Sequence, residues 1–147
     1  MEHKPTVVMM GLGYIGLPTA ALISSRGLQV TGVDIREEVV ETINQGRIHI
    51  VEPDLDGLVH HVVNKGYLKA ATAPIEADVY LIAVPTPFKG DHVPDTSYVG
   101  AAARNIIPTL REGALVILES TSPVGTTERM QDLIFEERPE LKGKIYI

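Results

Sequence analysis

The chain has no cysteine and no tryptophan, and only two phenylalanines and five tyrosines among 147 residues. Without cysteine it can form no disulfide framework and no thiolate metal site, and it supplies no cysteine nucleophile. Aromatics make up 5% against 44% hydrophobic residues, so the interior must be built from Val, Ile, Leu and Ala. That composition suits strands buried on both faces. Positive charge is also scarce: 13 Lys and Arg stand against 19 Asp and Glu, a formal net of −6, with no basic run. A nucleic-acid surface needs clustered cations to neutralise phosphates, so no nucleic-acid partner is expected. No apolar run reaches the ~20 residues of a membrane span. The opening "MEHKPTVVMM" lacks the charged start and long apolar stretch of a signal peptide. No membrane partner and a cytoplasmic location are the expectation.

What is present is a rhythm. Strand-length apolar runs alternate with helix-period segments, the order of βαβ units. Residues 6–10, 29–34, 67–71, 78–84, 114–120 and 144–147 read as strands, with helices at 14–26, 37–45, within 53–66, at 96–110 and at 126–139. The third helix is the clearest, because Leu55, Leu58, Val59, Val62 and Val63 recur at core-facing spacing and Gly66 follows as a terminator. The pattern predicts an α/β fold: a Rossmann-type doubly wound parallel sheet of about six strands with helices on both faces, forming one domain over residues 1–147. The last run, "KIYI", sits where a parallel sheet normally leads into a ligand loop, and so reads as a point inside a longer protein.

The first strand runs into "MGLGYIGLPTA", in which Gly11, Gly13 and Gly16 give G-x-G-x-x-G at the opening of a helix. Gly11 permits a tight turn, Gly13 lets backbone approach a pyrophosphate, and Gly16 lets helix and sheet pack closely. Tyr14 and Ile15 then offer backbone amides to the phosphates at the helix N-terminus. Asp34 ends the second strand 18 residues after Gly16, where an acid can accept hydrogen bonds from a ribose diol and repel a 2′-phosphate. NAD is therefore favoured over NADP, although Arg36 nearby could accommodate that phosphate. Thr86 in "AVPTPF", and Thr121, Ser122, Thr126 and Thr127 in "ESTSPVGTTE", follow later strands, where hydroxyls suit ribose and carboxamide. The bland alternatives are that Asp34 caps the next helix and that these hydroxyls merely cap turns. An S-adenosylmethionine methyltransferase places glycines and an acid similarly, but the hydroxyl-rich loop fits it less well.

The histidines carry less. His3, His49, His60, His61 and His92 show no ligand spacing and read as solvated side chains, and no metal is expected. Asp91, His92 and Asp95 in "KGDHVPD" could hold a cation, but Gly and Pro among polar residues mark a surface loop. Glu52, Pro53 and Asp54 read as the start of a helix.

Together, "GLGYIGLPTA", "HIVEPDL", "AVPTPFKGDHVPD" and "LESTSPVGTTE", in that order, resemble the UDP-glucose/GDP-mannose dehydrogenase family over about Val7 to Ile147. "HIVEPDL" and "PTPFKGDH" look like its UDP-amino-sugar branch. The resemblance implies oxidation of a sugar C6 hydroxymethyl to a carboxylate in two NAD-dependent steps, through a thiohemiacetal and a thioester on a cysteine. It places NAD contacts on Tyr14, Ile15, Asp34, Thr86, Thr121 and Thr127, with Arg36 flanking the adenosine ribose. No catalytic residue carries over, since the chain has no cysteine and the motifs with the family's lysine and asparagine do not occur in it. A dimerisation helix and a nucleotide-sugar domain are implied for the complete enzyme, and a UDP-sugar partner only there. Self-association into a homo-oligomer is a further expectation. A stand-alone nucleotide-binding or regulatory module without catalysis, and another β-hydroxyacid-type dehydrogenase, stay open as alternatives.

Overall fold

The structure is a computed structural model that describes residues 2–147. Five short parallel strands form the sheet: β1 (Val7–Met10), β2 (Val30–Val33), β3 (Leu68–Ala71), β4 (Val79–Ile82) and, after an intervening hairpin, β7 (Leu115–Leu118). Their order is β3-β2-β1-β4-β7, so the chain winds outward in one direction through β3 and then returns to the far side of β1. Central β1 pairs on both flanks, Val7 standing opposite Val30 on one side and Val79 on the other. All four of its residues are buried, as a strand covered by helices on both faces requires.

Alternation along β1 divides the interior in two. Val7 and Met9 join a core with α1 (Gly16–Ser25), α2 (Glu37–Asn44) and α3 (Leu55–Asn64). Val8 and Met10 join the opposite core, formed with α4 (Ser97–Ile106) and α5 (Thr126–Glu137). The doubly wound sheet inferred from the apolar rhythm is thus present. On the α3 stripe Leu55, Val59 and Val62 are buried.

Four segments differ from expectation. The helix expected from residue 14 starts at Gly16, because Gly13, Tyr14 and Ile15 form the turn that leads into it. The helix expected through 110 ends at Ile106 and tightens into a 3₁₀ turn at Ile107–Thr109, where Pro108 has no N–H to continue the ladder. The strand expected at 144–147 is reduced to one parallel bridge between Leu115 and Tyr146, with hydrogen bonds of 2.9 Å from the Val116 and Tyr146 amides. The surface loop read at 89–95 folds instead into a two-stranded antiparallel hairpin, β5 (Phe88–Lys89) with β6 (Val93–Pro94). Gly90 and His92 turn it in left-handed conformations at φ 58 each. No helix among the described residues is long and apolar enough to cross a membrane.

Candidate functional site

The sheet order reverses between β1 and β4, and the crevice beyond the carboxyl ends of those strands is where open α/β sheets bind ligands. The loop leaving β1 carries the glycines. Gly11 sits at φ 98, and a Cβ on it would stand 2.4 Å from the Ala83 carbonyl oxygen. At Gly16 an added Cβ would fall 1.8 Å from the Gly11 carbonyl oxygen, so the helix start and the strand end touch through bare backbone. Gly13 differs from both: nothing lies within 4 Å of its Cβ position. It faces open space.

The loop is anchored from below. Gly32 on β2 leaves a gap that the Leu12 side chain fills, with a Cβ there meeting Leu12 Cδ2 at 2.5 Å. The Gly11 amide donates to the Val33 carbonyl at 2.8 Å, and the Leu12 amide to Asp34 Oδ2 at 3.2 Å. Among the described residues no hydrogen bond takes up the amides of Gly13, Tyr14 or Ile15. Three free donors at a helix N-terminus form a receptor for a phosphate. The side chains of Tyr14 and Ile15 are exposed.

Asp34 lies beside this loop, 8% exposed. Its Oδ1 accepts the Arg36 backbone amide and Nε, each at 3.0 Å, and its Oδ2 accepts Arg36 Nη2 at 3.2 Å besides the Leu12 amide. Burial alone would raise the carboxyl's pKa, but the hydrogen bonds from Arg36 and Leu12, with the guanidinium charge, outweigh it and hold the group below the usual carboxylate range. Asp34 does not cap α2, whose N-cap residue is Arg36, so that alternative falls.

A cleft of about 380 Å³ opens between the β1, β2 and β4 loop ends. Gly11, Asp34 and Arg36 line one wall, and Val84, Pro85, Tyr98 and Asn105 help to line the other. Its apolar walls with a few polar groups have the character of a flat aromatic base's pocket. The α4 side of the cleft was missed in the sequence. Its signal was there, since Tyr98, Ala101, Ala102 and Asn105 fall at i, i+3, i+4 and i+7 on one helix face.

Thr86 follows β4 and donates its hydroxyl to the Thr121 carbonyl at 2.6 Å, tying together the loops after β4 and β7. Ser120 reinforces the tie through the Val84 carbonyl at 2.8 Å. Thr86 and Thr121 are therefore brought together beside the crevice. Thr127 lies exposed in the first turn of α5. Its neighbour Thr126 is buried and donates to the Pro123 carbonyl at 2.7 Å, a turn-closing role.

A dinucleotide fits these residues: free amides for the pyrophosphate, a buried acid for a ribose diol, and an apolar slot for a base. The family model of the UDP-glucose/GDP-mannose dehydrogenase family, NAD-binding domain, matches residues 5–147. The UDP-N-acetyl-D-mannosamine dehydrogenase of Escherichia coli K12 is 62% identical over 136 residues, which are 92% of this chain and 32% of that protein. The NDP-N-acetyl-D-galactosaminuronic acid dehydrogenase of Ralstonia nicotianae is 60% identical over 136 residues, with the same 92% and 32% shares. Among solved structures, the UDP-N-acetyl-mannosamine dehydrogenase of Staphylococcus aureus superposes with a TM-score of 0.87 at 37% identity, over 91% of this chain and 33% of that one. The chain thus spans about a third of the length of the curated relatives it matches. It belongs to the UDP-glucose/GDP-mannose dehydrogenase family and is an NAD-binding domain of that family.

Proposed function

We propose that this chain is the cofactor-binding domain of a UDP-N-acetyl-D-mannosamine dehydrogenase, which oxidises a nucleotide-sugar C6 hydroxymethyl to a carboxylate in two NAD-dependent steps. Residues 1–147 form the NAD domain in this reading, and a dimerisation helix and a nucleotide-sugar domain complete the enzyme. The observation that carries it is the glycine loop, with three unbonded amides facing a crevice that Asp34 closes from the side. The identity of 62% to a UDP-N-acetyl-D-mannosamine dehydrogenase supports the choice of sugar.

Bound NAD supplies a hydride acceptor at its nicotinamide ring. The chain's own residues then have separate tasks. The amides of Gly13, Tyr14 and Ile15 receive the pyrophosphate, and Gly11 and Gly16 keep loop and helix close enough for that. Asp34 receives the adenosine ribose diol, with Arg36 on its flank. Thr86, Thr121 and Thr127 stand on the nicotinamide side. Carrying an alcohol past the aldehyde to an acid requires a covalent acyl intermediate, for which a thiol is suited. This chain contains none, so the nucleophile comes from outside these residues and the chain alone does not turn over.

Calorimetric titration with NAD and NADP tests the reading. Saturable NAD binding, with NADP weaker, is expected; absence of binding to either removes the proposal that these residues suffice for the site. Transfer of hydride from UDP-N-acetyl-D-mannosamine, and not from the galacto-configured sugar, by the complete enzyme tests the substrate. A cytoplasmic location accompanies the reading, with NAD and a nucleotide sugar as its ligands. Ile117 and Tyr146 are exposed near the β7 edge, and self-association through them is part of the proposal. A monodisperse monomer in light scattering refutes that part.

A further inference from the structure

β3 is the outer strand of the sheet on the β2 side, so one of its flanks has no neighbouring strand. Its inner flank is paired: the carbonyls of Tyr67 and Ala71 accept the amides of Val30 at 2.8 Å and Asp34 at 3.1 Å. An outer flank normally leaves bare N–H and C=O groups. At Ala70 those groups instead meet the side chain of Asn44, the last residue of α2. Asn44 Nδ2 donates to the Ala70 carbonyl at 2.9 Å, and Asn44 Oδ1 accepts the Ala70 amide at 2.8 Å. For one residue, a side-chain amide supplies the donor and acceptor that a neighbouring strand would offer.

Adjacent residues of β3 thus hold both ends of one segment. Ala71 receives the Asp34 amide where the segment begins, and Ala70 receives Asn44 where it ends. Between them stand Arg36, the N-cap of α2, and the eight residues of the helix, a rod of about 12 Å. The rod has few other attachments: Val39 and Ile43 are its buried residues, and no side chain caps its N-terminus. At that end the Arg36 amide donates to Asp34 Oδ1 at 3.0 Å, while the Leu12 amide donates to Oδ2 at 3.2 Å. Two backbone donors therefore aim the two oxygens of the carboxylate, and one of them is carried by α2.

We infer that Asn44 is a positioning residue of the ribose site: standing in for the missing strand beside Ala70, it pins the end of α2 to β3 and so fixes the Arg36 amide that aims the Asp34 carboxylate. The inference rests on the reading of Asp34 as the acid that receives the adenosine ribose of NAD. With the Asn44 anchor cut, α2 pivots on Val39 and Ile43, and the Arg36 amide moves against Oδ1. Asp34 itself stays tied to Ala71 and Leu12, so its carboxylate turns instead of leaving, and a diol meets oxygens that are no longer aligned with it. The glycine loop hangs from β2 through the Gly11 amide and the Val33 carbonyl, and does not depend on α2.

The test compares Asn44→Ala, which removes both bonds to Ala70, with Ile43→Val, which loosens the packing of α2 but leaves the anchor. In calorimetry Asn44→Ala should bind NAD about threefold more weakly, part of the effect of one hydrogen bond. NADP, whose 2′-phosphate cannot use the carboxylate, should bind it as it binds the wild type, and Ile43→Val should leave both affinities unchanged. In NMR spectra of the ligand-free chain the Arg36 amide resonance should move in Asn44→Ala and not in Ile43→Val. The Ala70 amide should exchange with solvent faster in Asn44→Ala alone. Unchanged NAD affinity in a folded Asn44→Ala overturns the inference, and so does an Arg36 amide that stays in place. Equal weakening of NAD and NADP, or the same loss of NAD in Ile43→Val, marks a general loosening of the domain and also overturns it. A wild-type chain that does not bind NAD removes the reading of the site, and this inference falls with it. Should Asn44→Ala not fold, Asn44→Asp, which keeps the acceptor for the Ala70 amide and loses the donor, takes its place in the same comparison.

Discussion

The three glycines of the loop make separable demands, and replacing each with alanine should separate fold from ligand. At Gly16 the new methyl would lie 1.8 Å from the Gly11 carbonyl oxygen, whereas real Cβ atoms stay beyond 3.0 Å. Both atoms belong to rigid backbone, so helix and loop must part by about 1 Å, an overpacking strain of about 1–3 kcal/mol. For a domain of this size that lowers Tm by about 2–4 °C per kcal/mol. At Gly13 the methyl meets nothing within 4 Å, and the backbone there is not left-handed. Stability should then change by less than about 0.5 kcal/mol. The same methyl projects where backbone must approach the phosphate. Losing one or two charge-assisted hydrogen bonds at about 1.5 kcal/mol each weakens NAD binding by about 10- to 100-fold. Thermal denaturation and calorimetric titration of both variants read the two effects. A Gly13→Ala variant that binds NAD like wild type, or a Gly16→Ala variant with unchanged Tm, refutes the division of labour.

Asp34→Asn keeps the shape of the acid but removes the charge that favours a diol over a phosphate. Its NAD-to-NADP affinity ratio should fall by about tenfold or more, about 1.4 kcal/mol of selectivity, in paired titrations; an unchanged ratio counts against the carboxylate as the discriminator. The pKa of His49 is lowered, chiefly by burial and further by Arg36. The unfolded chain therefore protonates first, and the contribution is intact above the ordinary histidine pKa of about 6.5 and lost as pH falls below it. Asp34 has a depressed pKa, so its contribution persists to lower pH and fades only as pH falls below about 3.9. Urea titrations across pH 4–8 should show the histidine decline, and His49→Phe should flatten it. Tyr80 is fully buried, with its hydroxyl accepting the Ala77 amide at 3.0 Å and meeting Thr109 Oγ1 at 2.8 Å. Tyr80→Phe strands those groups and should cost about 1–3 kcal/mol, read as a lower denaturation midpoint; no change means that water takes over the bonds.

How much of this was legible depended on whether the signal was local. Strands such as 78–84 announce themselves because a central parallel strand must be apolar on both faces, and the glycine loop because its chemistry lies in six consecutive residues. The β5–β6 hairpin was not legible: its strands are two residues long, too short for a period, and His92 takes a left-handed conformation that side chains rarely adopt. The α4 wall of the cleft showed its spacing, but Tyr98, Ala101, Ala102 and Asn105 look like any small-residue packing face until the sheet order places them over β1. His49 was misread for the same reason. Nothing in "RIHIVEPDL" says that Ile48 and Ile50 reach the core that also holds Leu12, 36 or more residues away in sequence, and so leave the histidine between them half-buried with its ring nitrogens shielded.

The pairing of Asp34 with Arg36 sets a condition on any ligand that uses the acid. A carboxylate offers about four acceptor positions, and here the Arg36 backbone, Nε and Nη2 and the Leu12 amide occupy them. A ribose diol needs two. The backbone donors cannot leave without moving the glycine loop or the start of α2, whereas the Arg36 side chain is half exposed and free to swing into solvent. Binding must therefore exchange two guanidinium hydrogen bonds for two hydroxyls, and the broken ion pair is subtracted from the affinity. Because the pair is partly solvated, the subtraction is at most about 1 kcal/mol. Arg36→Met removes that competition while keeping an apolar stem over the cleft. NAD should bind as tightly or up to about fivefold more tightly, whereas NADP, which loses the Arg36 cation beside Asp34, should weaken. Calorimetry with both cofactors reads the two directions together. A tenfold loss of NAD affinity in Arg36→Met would show that the guanidinium holds the ribose itself, and the exchange argument would be wrong.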